Sequence, residues 1–237
     1  MLALVLLTAG APVRAQSARE QAEAHAAYQQ ANTSATEQAL RTSLSQQAKG
    51  FWGNGTFQYG TLRTYDGHYR PVPGLRYHVG LQLLEVQDSV DLEITHLWPA
   101  AGLRGFDLGE AGDPDQPLRR FRTRWVKDGS TGPHREYVEV LTAIDAGPML
   151  LGWLYSLAPT PTANGQRPLV ATLLAGPGMP GGEPLRPLEP TQASVLRLFG
   201  ARTNDVRTFA ATHGLDYTRP ADIARMMDHY NRIAVVK

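Results

Sequence analysis

Apolar and polar residues alternate through much of the middle of the chain. Between Leu75 and Leu83 the odd positions Leu75, Tyr77, Val79, Leu81 and Leu83 are apolar, with Arg76, His78 and Gln82 among the positions between them. After Gln87-Asp88 the alternation returns, with Val90, Leu92 and Ile94 set against Asp91, Glu93 and Thr95. A strand sends successive side chains to opposite faces, so each run predicts a strand with one buried and one wetter face. Phe106 and Leu108 mark a short strand or anchor. Arg119–Val126 alternates again, with Phe121 and Trp125 on one face and Arg120, Arg122 and Arg124 on the other. Residues 136–143, 149–157 and 169–174 read as further strands, the last nearly all apolar and therefore central. Asp66-Gly67, Val72-Pro73-Gly74, Asp128-Gly129 and Asp145-Ala146-Gly147-Pro148 supply turns between them. The expected fold is mainly β, an antiparallel sandwich or barrel-like meander of about seven or eight strands.

Both ends of the chain change period. Residues 16–49 are rich in Ala and Gln, which favour helix. Ser34-Ala35-Thr36-Glu37 has capping-box spacing, with Leu40 and Leu44 following at helical intervals. A frayed or absent helix is expected at 18–30 and a better one at 36–49. Residues 176–190 hold five prolines and four glycines and read as a linker. Three helices are expected after it, at 191–199, 204–213 and 218–233. In the last, Ile223, Met226, Met227, Tyr230 and Ile233 form one apolar stripe, expected to pack through Val206 and Phe209 and on the β-region. The domain plan is a signal peptide at 1–15, a polar helical or partly disordered segment at 16–49, a β-domain at 50–175, a linker at 176–190 and a helical tail at 191–237.

The signal-peptide expectation rests on Met1 to Gly10, almost wholly apolar, followed by Val13-Arg14-Ala15 with small residues where a signal peptidase needs them. The run of about ten residues is too short to cross a bilayer of roughly 30 Å as a helix. No Lys or Arg precedes it. A periplasmic or secreted location follows, and no later run is apolar enough for a transmembrane segment.

Charge and composition then narrow the function. The chain has 23 Lys and Arg against 22 Asp and Glu, and loss of Arg14 on cleavage leaves the two balanced. Neutrality argues against nucleic acid as a partner, since that affinity comes largely from neutralising phosphates. The absence of cysteine excludes disulfides, thiolate metal sites and a Cys nucleophile. The Gly53-x-Gly55 pair is followed by no helical pattern and is no nucleotide fingerprint.

Gly55-x-Phe57-x-x-Gly60, Asp66-Gly67, Leu75-Arg76-Tyr77, Phe106-Asp107-Leu108, Tyr137-Val138-Glu139-Val140-Leu141, Leu215-Asp216-Tyr217 and Asp228-His229-Tyr230-Asn231 together resemble uncharacterised exported β-rich proteins of Bacteroidota. The resemblance covers about Gly50 to Asn231. It implies an envelope or secreted location and carries no catalytic residues.

Candidate chemistry is sparse. No histidine pair has metalloprotease spacing, and His68, His78 and His96 are ordinary strand and turn residues unless they converge on a metal. Asp107, Glu110, Asp113 and Asp115 crowd one loop, but not with EF-hand spacing. No metal or cofactor is expected. Arg120, Arg122 and Arg124, with Trp125 beside them, form the candidate binding face for an anionic partner. The competing reading takes Arg119, Arg120, Arg122, Arg124 and Lys127 as a solvent-facing strand face whose charges pair with Glu136 or Glu139 across a hairpin. No Gly-x-Ser-x-Gly elbow is present. The expected function is a non-enzymatic binding or structural module of the cell envelope, with a protein or glycan partner. The alternative is a secreted carbohydrate-acting hydrolase using a carboxylate pair drawn from Asp91, Glu93, Glu136 and Glu139.

Overall fold

The computed structural model describes residues 11–129, 132–163, 167–179 and 182–235. A ten-stranded antiparallel sheet, open at both edges, runs through it. β1 (Gln58–Arg63), β2 (Tyr69–His78), β3 (Leu83–Gln87) and β4 (Thr95–Pro99) form a meander. The chain then returns through a 3₁₀ turn at Ala100–Gly102 to the other side of β1. From there β5 (Gly105–Leu108), β6 (Arg119–Val126), β7 (His134–Val140), β8 (Leu150–Leu157), β9 (Leu169–Gly176) and β10 (Arg186–Pro187) extend the sheet in the opposite direction. The expected antiparallel meander is therefore present, larger than expected and not closed.

The sheet rolls around its aromatic residues. Leu75, Tyr77, Leu84, Phe106, Phe121 and Tyr137, drawn from β2, β3, β5, β6 and β7, are buried in one cluster. Phe106 stacks on Phe121 at 4.7 Å, and Tyr77 meets Tyr137 edge-on at 5.6 Å. Both geometries suit the ring quadrupoles. Strand pairing does not complete the roll. β7 and β8 pair only across Val138 to Val140, and the β2–β3 corner fills the opening. There the Tyr137 N–H donates to Gln82 Oε1 at 2.8 Å, and the Tyr137 hydroxyl donates to the Pro99 carbonyl at 3.0 Å. Gln82 sits at φ 47°, a left-handed backbone that costs a residue with a Cβ about 1–2 kcal/mol. Satisfying an otherwise unpaired N–H of β7 offsets that cost.

Two sequence expectations change here. Leu75 to Leu83 is not one strand: it is the end of β2, a 3₁₀ turn at Val79–Leu81, and the start of β3. The odd positions are apolar because the turn also buries Val79. Residues 90–94 form a turn, not a strand. The Val90 and Asp91 N–H groups donate to the Asp88 carboxylate, and that of Glu93 to the Asp91 carboxylate. These local bonds compete with strand pairing and leave Val90 94% exposed.

The N-terminal helices guard one sheet edge. α1 (Ala11–Ala31) is formed where a frayed or absent helix was expected, and α2 (Ser34–Gln46) follows it. The Asn32 amide pairs with Leu97 of β4 as a neighbouring strand would, donating to its carbonyl at 2.8 Å and accepting from its N–H at 3.1 Å. Arg41 donates to the Thr95 carbonyl at 2.7 Å. Unpaired edge groups that would otherwise invite association are thereby occupied. Leu44 and Leu40 pack on Phe51, Leu83 and Leu97. The residues Met1 to Gly10, which carry the export expectation, lie outside the described residues. No described helix is long and apolar enough to cross a membrane.

At the other end, α3 (Gln192–Arg197), α4 (Thr203–Thr212) and α5 (Pro220–Val235) cover β8 and β9. The predicted stripe is the buried one: Ile223, Met226 and Met227 are fully enclosed with Val206, Met149 and Leu151. Asn231, also buried, exchanges two 2.8 Å hydrogen bonds with the Met149 backbone. The segment at 176–190 is not a free linker. Leu185 and Leu188 are buried, β10 pairs with β9, and Leu185 bridges to Val126 of β6. Its prolines exclude helix, yet an edge strand tolerates them.

Candidate ligand cleft beside helix α1

The β6 arginines split between two environments. Strand alternation puts Arg120, Arg122 and Arg124 on one face, as expected, but this face is not free. Arg122 is 3% exposed; its Nε donates to Asp145 at 2.5 Å and its Nη1 to Asp107 at 2.7 Å. Arg120 donates to Asp145 at 2.8 Å and also to the Thr142 and Ala143 carbonyls. Arg63 of β1 completes the network, reaching Asp107 at 2.8 Å and Asp145 at 3.2 Å. Asp107 arrives from β5, where register sets it opposite Arg120. Asp145 arrives from the β7–β8 turn, whose Ala143 N–H is held by Asp228 of α5 at 2.8 Å. Arg120 and Arg122 are thus occupied by the fold and not offered to a partner. Their carboxylates are Asp107 and Asp145; of the cross-hairpin pairs with Glu136 or Glu139, Arg119–Glu139 forms, at 2.9 Å.

Arg124 and Trp125 belong to a second setting. β5 begins at Gly105, opposite Arg122, the Thr123 N–H reaches the Arg104 carbonyl at 3.0 Å, and farther along β6 Leu185 becomes its neighbour, at Val126. Gly105 is required there: at φ 150° a Cβ would lie 2.2 Å from the Phe121 carbonyl. Between Gly105 and Leu185 opens a cleft of about 40 Å³. Its walls include Tyr65 from the β1–β2 turn, Arg104, Arg124, Trp125, Arg135 and Glu20 of α1. Arg104 is exposed and makes no ion pair among the described residues. Among the described residues Arg124 has no carboxylate partner: its guanidinium donates to the Thr123 and Asp145 carbonyls, and its Nε is buried without a hydrogen-bond partner there. Burial, with Arg122 adding repulsion, lowers its pKa to about 10. Arg135 lies over the Trp125 ring at 5.1 Å and meets Glu23 of α1 at 3.2 Å. Burial raises the Tyr65 hydroxyl.

On the other flank of α1 runs an open groove of about 580 Å³. Tyr65 lines both spaces. The groove adds Tyr28, His25, Arg70 and Trp98, with the Tyr28 and Trp98 rings 4.0 Å apart.

The remaining candidates do not converge. Glu136 and Glu139 are three apart on one strand and so face opposite sides of β7. Glu139 is held by Arg119 at 2.9 Å and the Tyr155 hydroxyl at 2.5 Å. Burial lifts Glu136 to about 7, with His134 opposing the shift from 3.3 Å away. Asp91 and Glu93 are exposed in the β3–β4 turn. His78 is buried against Phe51 and bonds the Gln47 carbonyl, while His96 meets Asp88 at 3.3 Å. Among the described residues no cluster of His, Asp and Glu could hold a metal ion.

No protein-family model, curated protein or solved structure matches the chain. Function is therefore argued from this geometry. Arg104, Arg135 and Tyr65 escaped the sequence reading because each comes from a different strand end or turn. Segment 177–185 escaped it because its composition reads as a linker.

Proposed function

We propose that this chain is an exported, non-enzymatic binding module of the cell envelope, periplasmic or secreted. Its ligand face is the cleft and groove flanking α1. One observation carries the reading: Arg104, Arg124, Arg135, Tyr65 and Trp125 line one opening, and among the described residues Arg104 and Arg124 have no carboxylate partner. Clefts of aromatic walls with a few converging polar groups are the ordinary form of a binding site. The apolar N-terminal run with Val13-Arg14-Ala15, and the resemblance to exported β-rich proteins, support export.

Two measurements test it. Mass spectrometry of the native protein should find a mature chain starting at Gln16; a cytoplasmic chain retaining Met1 would contradict export. Purified protein should bind immobilised envelope glycans or envelope proteins, and Arg70→Glu in the exposed groove should weaken that binding. Retention of nothing, or equal retention by Arg70→Glu, would contradict the placement of the ligand face.

A further inference from the structure

We propose that the Arg104–Arg124–Arg135 cleft seats the carboxylate of an acidic sugar, with the rest of the glycan lying outward along the α1 flank. The inference rests on the reading of this face as the ligand face and names the chemistry it selects.

Size comes first. A cleft of about 40 Å³ holds about three waters, at roughly 10–15 Å³ each, which matches the three heavy atoms of a carboxylate. The narrow part of the cleft suits a substituent of that size, with the sugar ring outside it. The walls determine its sign. Arg104, Arg124, Arg135 and Tyr65 border the space, and guanidinium–carboxylate pairing is strong and geometrically selective. Two carboxylates, Glu20 and Glu183, also line it, and neither makes an ion pair with those arginines. Glu23 already meets Arg135. The helix thus brings its own acids to the edge of the site, where they compete with an incoming anion.

The neighbourhood distinguishes a sugar from a peptide. Extended peptides dock by adding a strand to an open edge or by filling an apolar groove. Beside the cleft the β6 edge is taken: the Leu185 N–H donates to the Trp125 carbonyl at 2.8 Å, and the Lys127 N–H donates to the Leu185 carbonyl at 2.9 Å. What remains accessible is aromatic face and charge, with Trp125 38% exposed and Tyr65 leading on to the groove with Tyr28 and Trp98.

Calorimetric titration of the full-length mature protein with an oligogalacturonate, and with the neutral galacto-oligosaccharide of equal length, tests the assignment. The acidic oligomer should bind and the neutral one should bind far more weakly. Arg104→Met should weaken the acidic oligomer about tenfold, the scale of one charge-assisted hydrogen bond. Arg104 is exposed, so the variant should keep the wild-type melting temperature. Glu20→Gln, which removes a competing carboxylate, should tighten binding. Equal binding of both oligomers, unchanged in Arg104→Met, overturns the carboxylate seat while the ligand-face reading stands. Binding of a peptide with a free C-terminal carboxylate, with none of the oligogalacturonate, overturns the sugar assignment. Failure of both oligomers to bind overturns the inference, and failure of Arg70→Glu to affect envelope binding then separately removes the ligand face.

Discussion

Two groups of arginines lie within a few residues of one another on and around β6, and their surroundings give them opposite roles. Arg63 and Arg122 donate side-chain hydrogen bonds to both Asp107 and Asp145, and Arg120 donates to Asp145. Among the described residues Arg104 and Arg124 have no carboxylate partner, and Arg135 pairs with the half-exposed Glu23. The first group is paired inside the fold, three guanidiniums on two carboxylates; the second lines a cleft. A run of arginines on a strand therefore says little by itself about binding. What decides is whether the neighbouring strands and turns bring carboxylates into register with it.

The largest expected effect falls on the first group. Asp145→Ala removes a partner from Arg63, Arg120 and Arg122 together. Among the described residues Asp107 then remains as the one carboxylate for the buried Arg122 and for Arg63, and breaking a buried pair by removing one partner costs about 3–5 kcal/mol, or roughly 6–20 °C of melting temperature for a domain of this size. Calorimetry measures it; a loss under about 1 kcal/mol would erase the contrast. Gln82→Ala comes next. It strands the Tyr137 N–H at the seam between β7 and β8, and should cost about 1–3 kcal/mol in urea unfolding. An unchanged midpoint would mean that this bond does not hold the roll behind the cleft.

Glu136 sharpens the comparison as a carboxylate near β6 that pairs with no arginine of either group. Its pKa rises from 4.5 to about 7 because burial penalises its charged form. Below about pH 4.5 it is protonated whether the chain is folded or unfolded and contributes no pH dependence. Between pH 4.5 and 7 only the unfolded chain releases the proton, so stability falls as pH rises, and the full penalty is present above 7. Glu136→Gln should melt like wild type at pH 4.5 and above it at pH 8. Equal melting temperatures at pH 8 would place Glu136 in a more solvated setting. The smallest effect on stability belongs to Arg104→Met, which should stay within about 0.5 kcal/mol of wild type.

Parts of this arrangement were legible beforehand. Alternation along Arg119–Val126 assigned the two faces of β6 correctly, because Phe121 and Val126 anchor the pleat on opposite sides. The α5 stripe was legible because five large side chains repeat at helical intervals. The carboxylates of the first group were not, since Asp107 lies on another strand and Asp145 in a turn fixed partly by α5. The turn at 90–94 was misread because apolar alternation outweighed Asp88 and Asp91, whose carboxylates take the local N–H groups. The cleft was invisible because it is a gap: β5 begins at Gly105, and the Pro/Gly-rich stretch that neighbours β6 at Leu185 shows no strand periodicity.

The contrast between the two arginine groups is tested most directly by a pair of double-mutant cycles in urea unfolding. One cycle couples Arg122 with Asp145, and the other Arg135 with Glu23. Coupling should exceed about 2 kcal/mol for the buried pair and stay within about 0.2–1 kcal/mol for the half-exposed one. Equal coupling energies would contradict the division of these arginines into a structural group and a ligand group.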